Sequence, residues 1–225
     1  MRLLSSSAPA LVAGLLIALV SCTLLPCEAR GQPVTLGVRG GMNLSILKGD
    51  TEAFFENEIG AYRVGRRTSF HVGGVAHLPL KPWLAVQPEL SYVQRGASVT
   101  QTGGVLGDGS GTFRFSYIDL PLLFRAHVPG DDGRARPFVV VGPTLGVSLT
   151  AGVTTDSGTS ITYESISTTD LGAVVGAGVE FSLSSSRSVS LSARYNPGLR
   201  DIATEDNVSI RNSAFVMSAA YTFGP

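Results

Sequence analysis

The sequence predicts an all-β fold, a transmembrane antiparallel up-and-down β-barrel of about eight strands, and three observations predict it. Apolar and polar residues alternate with period two in eight segments, the connections between them alternate in length, and aromatic residues recur near segment ends. In the first segment Val34, Leu36, Val38, Gly40, Met42 and Leu44 share one face. Thr35, Gly37, Arg39, Gly41, Asn43 and Ser45 share the other. Successive side chains of a strand point to opposite faces, so the two sets meet different surroundings.

The first element is a leader. Arg2, an apolar run from Ala10 to Val20 and small or polar residues up to Gln32 follow the plan of a secretory signal peptide. Residues 1–31 are therefore assigned to it, with cleavage after Ala29 or Gly31, and residues 32–225 to one barrel domain. An alternative is lipidation at Cys22, since Leu19-Val20-Ser21-Cys22 reads like a lipobox. Both cysteines, Cys22 and Cys27, fall in the leader, so the mature chain offers no thiol for a disulfide, a metal or catalysis. The net charge of +0 argues against a nucleic-acid partner. Charged residues make up 15% of the chain, against about 25% in soluble domains, and 27 glycines are present; both suit a wall facing lipid.

The strands are expected at 34–45, 69–80, 83–96, 112–127, 137–149, 170–183, 188–199 and 213–223. The second assigned alternation puts Leu171, Ala173, Val175, Ala177, Val179 and Phe181 on one face and Gly172, Val174, Gly176, Gly178, Glu180 and Ser182 on the other. Connections 46–68, 97–111, 150–169 and 200–212 are long and polar; 81–82 and 184–187 are short; 129–135 is intermediate, with turn residues Pro129-Gly130-Asp131-Asp132-Gly133. Outer-membrane barrels have short periplasmic turns and longer outer loops, so periplasmic termini place all four long connections outside.

Trp83, Phe124, Phe138, Phe181 and Phe223 are expected at one membrane rim, and Phe70, Tyr92, Tyr117, Tyr195 and Phe215 toward the other. Pro88, Pro121 and Pro143 lie within strands and are expected to mark bulges or bends, because proline removes a ladder donor.

The runs Gly37-Val38-Arg39-Gly40-Gly41-Met42-Asn43-Leu44-Ser45, Phe70-His71-Val72-Gly73-Gly74 and Gln87-Pro88-Glu89-Leu90-Ser91-Tyr92 come in a characteristic order. Tyr117-Ile118-Asp119-Leu120-Pro121-Leu122-Leu123, Gly176-Ala177-Gly178-Val179-Glu180-Phe181 and Arg194-Tyr195-Asn196-Pro197-Gly198-Leu199 continue it. The set resembles the PorT-like outer-membrane β-barrel family. That resemblance implies a small barrel in the bacterial outer membrane, with a role that fold alone does not specify.

The inward face is expected to carry Arg39, Glu89, Arg95, Asp119, Arg125, Glu180 and Arg194. A narrow barrel is filled by its own side chains, so Glu89, Asp119 and Glu180 with Arg39, Arg125 and Arg194 are the candidates for a structural lumen ion-pair network. A small-solute porin-like channel is the alternative. Catalysis needs a nucleophile beside a base, and of His71, His77 and His127 only His71 has both the parity and the height for an outer-rim set; no catalytic residues are assigned.

The Gly-rich stretch 103–111 lacks the residues of a phosphate or calcium loop, and no cofactor or metal is assigned. The sequons at Asn43 and Asn207 are treated as coincidental. A soluble lipocalin-like barrel would invert the alternation, with apolar residues inside. The expected partners are outer-membrane lipid and a protein at the external loops of a monomer. Phe54, Phe55, Tyr62, Arg66 and Arg67 form the candidate contact loop, giving a non-catalytic structural, adhesion or secretion-accessory role.

Overall fold

The computed structural model describes residues 33–49, 61–102, 109–128, 134–155, 160–162, 169–199 and 210–224. The leader, its cleavage sites and Cys22 lie outside them, as do Phe54, Phe55, the turn at 129–133 and Asn207. The strands are β1 (Thr35–Gly49), β2 (Ala61–Gly65), β3 (Arg67–Lys81), β4 (Leu84–Thr102), β5 (Gly109–His127), β6 (Ala135–Thr155), β7 (Ser160–Thr162), β8 (Thr169–Ser184), β9 (Arg187–Pro197) and β10 (Ile210–Phe223).

Hydrogen-bonded neighbours run β1-β3-β4-β5-β6-β8-β9-β10 and close again on β1, every pairing antiparallel, which makes a closed eight-strand up-and-down barrel. Closure leaves no bare strand edge at the level of the full circuit, as a wall in lipid requires. The two short segments are additions: β2 pairs with β4, and β7 with β6.

Period-two alternation decides which side is which. Leu36, Val38, Met42, Phe70, Val72, Phe215 and Met217 face outward and are exposed. Arg39, Asn43, His71, Glu89 and Arg194 face inward and are buried. Apolar outside and polar inside is the arrangement of a lipid-facing wall, and it overturns the lipocalin-like alternative. The outward band from Leu36↔Phe223 to Leu44↔Phe215 covers the hydrophobic height of such a wall.

Several strands run beyond their expected ends. β4 and β5 have 19 residues each and β6 has 21, so residues 97–102, 109–111 and 150–155, expected in loops, continue as paired wall. Apolar alternation stops where the strands leave lipid, but backbone pairing needs no apolar side chain, and the Ser- and Thr-rich continuations keep their ladders. Likewise β1 reaches Gly49, β10 begins at Ile210, and β2 occupies part of the expected loop 46–68. Where β4 passes from β3 to β2, Gly96 has φ 147°, a conformation that side chains rarely adopt.

The three prolines do not mark bulges. Register is constant on either side of Pro88 and Pro121 between β4 and β5, and across Pro143 between β5 and β6. The register shifts fall instead at Pro79/Lys81, Ser116/Tyr117 and Ser182/Ser184. Pro88, Leu122 and Pro143 occupy one row across three strands, with Pro88↔Leu122 paired; the missing donors are absorbed there without inserting a residue. The aromatic rims also need correction: Tyr117 and Phe138 point into the lumen, at 1% and 2% exposure, and belong to neither girdle. Phe70 and Tyr92 meet on the outer face with ring centroids 6.2 Å apart, and Tyr195 and Phe215 at 5.0 Å.

Candidate functional site, a layered ion-pair lumen

Three charged clusters fill the barrel interior. Inward parity brings each charged side chain off the wall, and the lumen of a narrow barrel leaves it no bulk water, so pairing is the condition for ionised groups to remain there.

The central cluster is built on Glu89 of β4. Arg39 of β1 donates to its Oε2, and Arg194 Nη1 of β9 lies 2.9 and 3.0 Å from its two oxygens. Gln87 Nε2 donates to Oε1 at 2.5 Å. One carboxylate thus faces two guanidiniums. From Arg39 a directed chain runs across the lumen: Nη2 donates to Ser218 Oγ at 2.6 Å, Ser218 Oγ lies 3.0 Å from His71 Nε2, and His71 Nδ1 lies 2.8 Å from Asn43 Oδ1. Asn43 Nδ2 then donates to the Gln94 carbonyl at 3.3 Å. The donors follow one direction if the imidazole carries its hydrogen on Nδ1, which is the assignment the network makes.

Toward the long-connection end, Arg95 of β4 donates to Asp119 of β5 and, at 3.1 Å, to Asp170 of β8. Its guanidinium also lies 5.2 Å from the Tyr117 ring centroid. Toward the tight-turn end, Arg125 Nη2 of β5 donates to Glu180 Oε2 of β8 at 2.6 Å, while its Nη1 lies 3.2 Å from His77 Nε2 and 3.3 Å from Gln87 Oε1. The same guanidinium stacks on Phe138, 3.6 Å from the ring centroid. His127 Nε2 stands 3.7 Å from Glu180, too far for a hydrogen bond. Gln87 therefore links the central and lower clusters, its amide nitrogen serving one and its oxygen the other.

The six residues expected to form one network are distributed over all three layers. Arg39, Glu89 and Arg194 meet directly; Arg125 meets Glu180; Asp119 meets neither pair and is held by Arg95. Arg95, expected on the inward face but not in the ion-pair network, belongs to it through Asp119 and Asp170. Asp170 was missed, although it shares the parity of Gly172 and Glu180 on β8. His71 and Asn43 lie on the inward face expected for them, but their place in the network, like that of Gln87 and Ser218, is not legible because uncharged polar residues give no pairing signal in sequence.

Between the clusters lies a cavity of about 30 Å³, bordered by Arg39, His71, Glu89, Arg95, Asp119 and Arg194 among others, and a smaller one of about 10 Å³ near Asp170 and Thr144. The larger has room for roughly two water molecules. Asp119 Oδ1, Ser91 Oγ and Asn196 Oδ1 are buried without a protein hydrogen bond, and these are the polar surfaces such water would serve.

The expected contact loop is partly wall. Arg67 opens β3 and donates to the Arg95 carbonyl at 2.6 Å, Arg66 is exposed between β2 and β3, and Tyr62 lies within β2. No group of three or more His, Cys, Asp or Glu residues suited to a metal occurs among the described residues.

Solved structures of similar shape include Ail, the attachment invasion locus protein of Yersinia pestis, at 14% identity and TM-score 0.43, covering 85% of this chain and 100% of that one. OprG of Pseudomonas aeruginosa matches at 11% identity and TM-score 0.48, covering 86% and 97%, and Neisserial surface protein A at 13% and 0.45, covering 82% and 95%. No curated protein matches the chain. The family model described as outer membrane protein beta-barrel domain matches residues 28–204, and with a closed antiparallel wall that is apolar outside and charged within, the chain belongs to that family of the bacterial outer membrane.

Proposed function

We propose that this chain is a non-catalytic, monomeric outer-membrane protein that acts through its exposed end, in a structural, adhesion or secretion-accessory role. Residues 1–31 direct export and are removed. The tight turns and both ends of the barrel chain face the periplasm, and the long connections face outward.

The observation that carries this reading is the contrast between a filled lumen and an extended outer wall. Three ion clusters occupy the interior, with cavities of about 30 and 10 Å³, which supports a plug rather than a conducting path. Meanwhile β4, β5 and β6, joined by β2 and β7, carry paired backbone past the apolar band at the long-connection end. Ser218, His71 and Asn43 have the spacing of a nucleophile relay, but Ser218 is buried and borders neither of the two cavities.

Planar-bilayer recording of the purified full-length protein tests the plug: the expected trace lacks steady conductance, and large steady openings would overturn it in favour of a porin-like channel. Replacing 51–60 by a short Gly-Ser linker tests the contact role. Recovery of a cross-linked surface partner should fall, and unchanged recovery would remove that connection from the proposal.

A further inference from the structure

The chain has three methionines, Met1 in the leader and Met42 and Met217 in the wall. The two in the wall are direct cross-strand partners where β1 and β10 close the barrel. Both have outward parity: their neighbours Asn43, Val216 and Ser218 are buried inside, whereas Met42 is 60% and Met217 70% exposed. No other large apolar side chain among the described residues is as exposed as Met217. Opposite residues of an antiparallel pair have their first side-chain carbons about 5 Å apart, so the two side chains share one patch of the lipid-facing surface.

The surroundings leave that patch open. Met42 pairs on its other side with Phe70 and Met217 with Ala193, and the next outward positions along the two strands are Gly40 and Ala219, themselves partners. A side-chain carbon at Gly40 would meet nothing nearer than 3.4 Å. Small residues therefore flank the pair, and the band from Leu36↔Phe223 to Leu44↔Phe215 encloses it within the apolar height of the wall. Leucine serves the same outward face at Leu36 and Leu44. What methionine adds is a polarizable sulfur that can be oxidised.

We propose that Met42 and Met217 form an oxidation site of the wall, at which apolar organic hydroperoxides dissolved in the surrounding lipid are reduced. A sulfur lone pair attacks the distal oxygen of the hydroperoxide, the O–O bond breaks as the S–O bond forms, and that oxygen's proton passes to the departing alkoxide. Each event converts one thioether to a sulfoxide and one hydroperoxide to an alcohol, a two-electron oxidation of sulfur matched by a two-electron reduction of peroxide. Charged oxidants stay in the water, because moving an ion into an apolar medium is costly, so the site is selective for apolar ones. The product acts on the wall as well. A sulfoxide is polar and finds no hydrogen-bond donor in hydrocarbon, so oxidation weakens the seam where β1 meets β10.

Peptide mass spectrometry of the full-length protein in saturated phosphatidylcholine vesicles tests this, with apolar cumene hydroperoxide and anionic peroxymonosulfate as the two probes. Cumene hydroperoxide should add one oxygen to Met42 and one to Met217. Normalised to N-acetylmethionine amide in the same suspension, that oxidation should be about tenfold faster than the one by peroxymonosulfate. Unmodified methionines under cumene hydroperoxide, or equal normalised rates with the two oxidants, would overturn the inference. In urea the doubly oxidised protein should unfold about tenfold faster than untreated protein. Met42→Leu with Met217→Leu, shown to be folded by heat-modifiable migration on gels, should unfold at the same rate before and after the same treatment. Unfolding of the oxidised wild type at the untreated rate would overturn the effect on the seam.

Discussion

Arg194 Nη1 lies 2.9 and 3.0 Å from the two carboxylate oxygens of Glu89, although the residues are 105 positions apart and sit on strands that are not neighbours in the wall. With Arg39 on the same carboxylate, Glu89 is the pivot of the lumen. Its removal is the most damaging single change the interior offers.

Glu89→Gln leaves two buried guanidiniums facing a neutral amide. Breaking a buried pair by deleting one partner costs about 3–5 kcal/mol, and the variant should lose that much in reversible urea unfolding from lipid vesicles. A loss under about 1 kcal/mol, the range of exposed pairs, would show that Glu89 is not the pivot.

Ser218→Ala interrupts the chain from Arg39 to Asn43, leaving Arg39 Nη2 and His71 Nε2 each without a partner they now have. The expected cost is about 1–3 kcal/mol, the penalty for unsatisfied buried polar groups. A fluorophosphonate probe should leave Ser218 of the folded wild-type protein unlabelled, and stoichiometric labelling there would reopen the catalytic reading.

Val175 is 52% exposed on the outer face while Val174 beside it is 1% exposed inside. Val175→Arg should cost about 2–4 kcal/mol if it lies near the membrane midplane, and Leu183→Arg, next to the tight turn, about 0–1 kcal/mol. Equal tolerance of both in vesicle refolding would contradict the placement of the apolar band.

Gly41 faces inward where β1 pairs with β10, and a side-chain carbon built there would collide with the Met217 carbonyl oxygen. Gly41→Ala should therefore destabilise by about 1–3 kcal/mol, as overpacking does. Gly74→Ala, on the open outer face, should stay within about 0.5 kcal/mol. Matching urea midpoints for the two variants would refute the close approach of β1 and β10.

The sequence by itself determined the fold class, because alternation with period two is a local property: Val38 and Met42 separate from Arg39 and Asn43 whatever the strands pair with. It also determined the asymmetry of the ends, since Lys81-Pro82 and Ser184–Arg187 leave room for nothing but tight turns. Parity was informative even where another signal obscured it, for Tyr117 shares the parity of Asp119 and so lies inside although its aromatic ring suggested a girdle. Tertiary structure decided the rest. Which arginine meets which carboxylate depends on the stagger of strands around a closed wall, so Asp119 goes to Arg95 and Glu89 to Arg194, pairings between segments whose separation in sequence carries no register. The strand ends were likewise decided by backbone ladders, which continue through Ser and Thr after the apolar pattern stops, and the prolines by the neighbouring strands that hold their register constant.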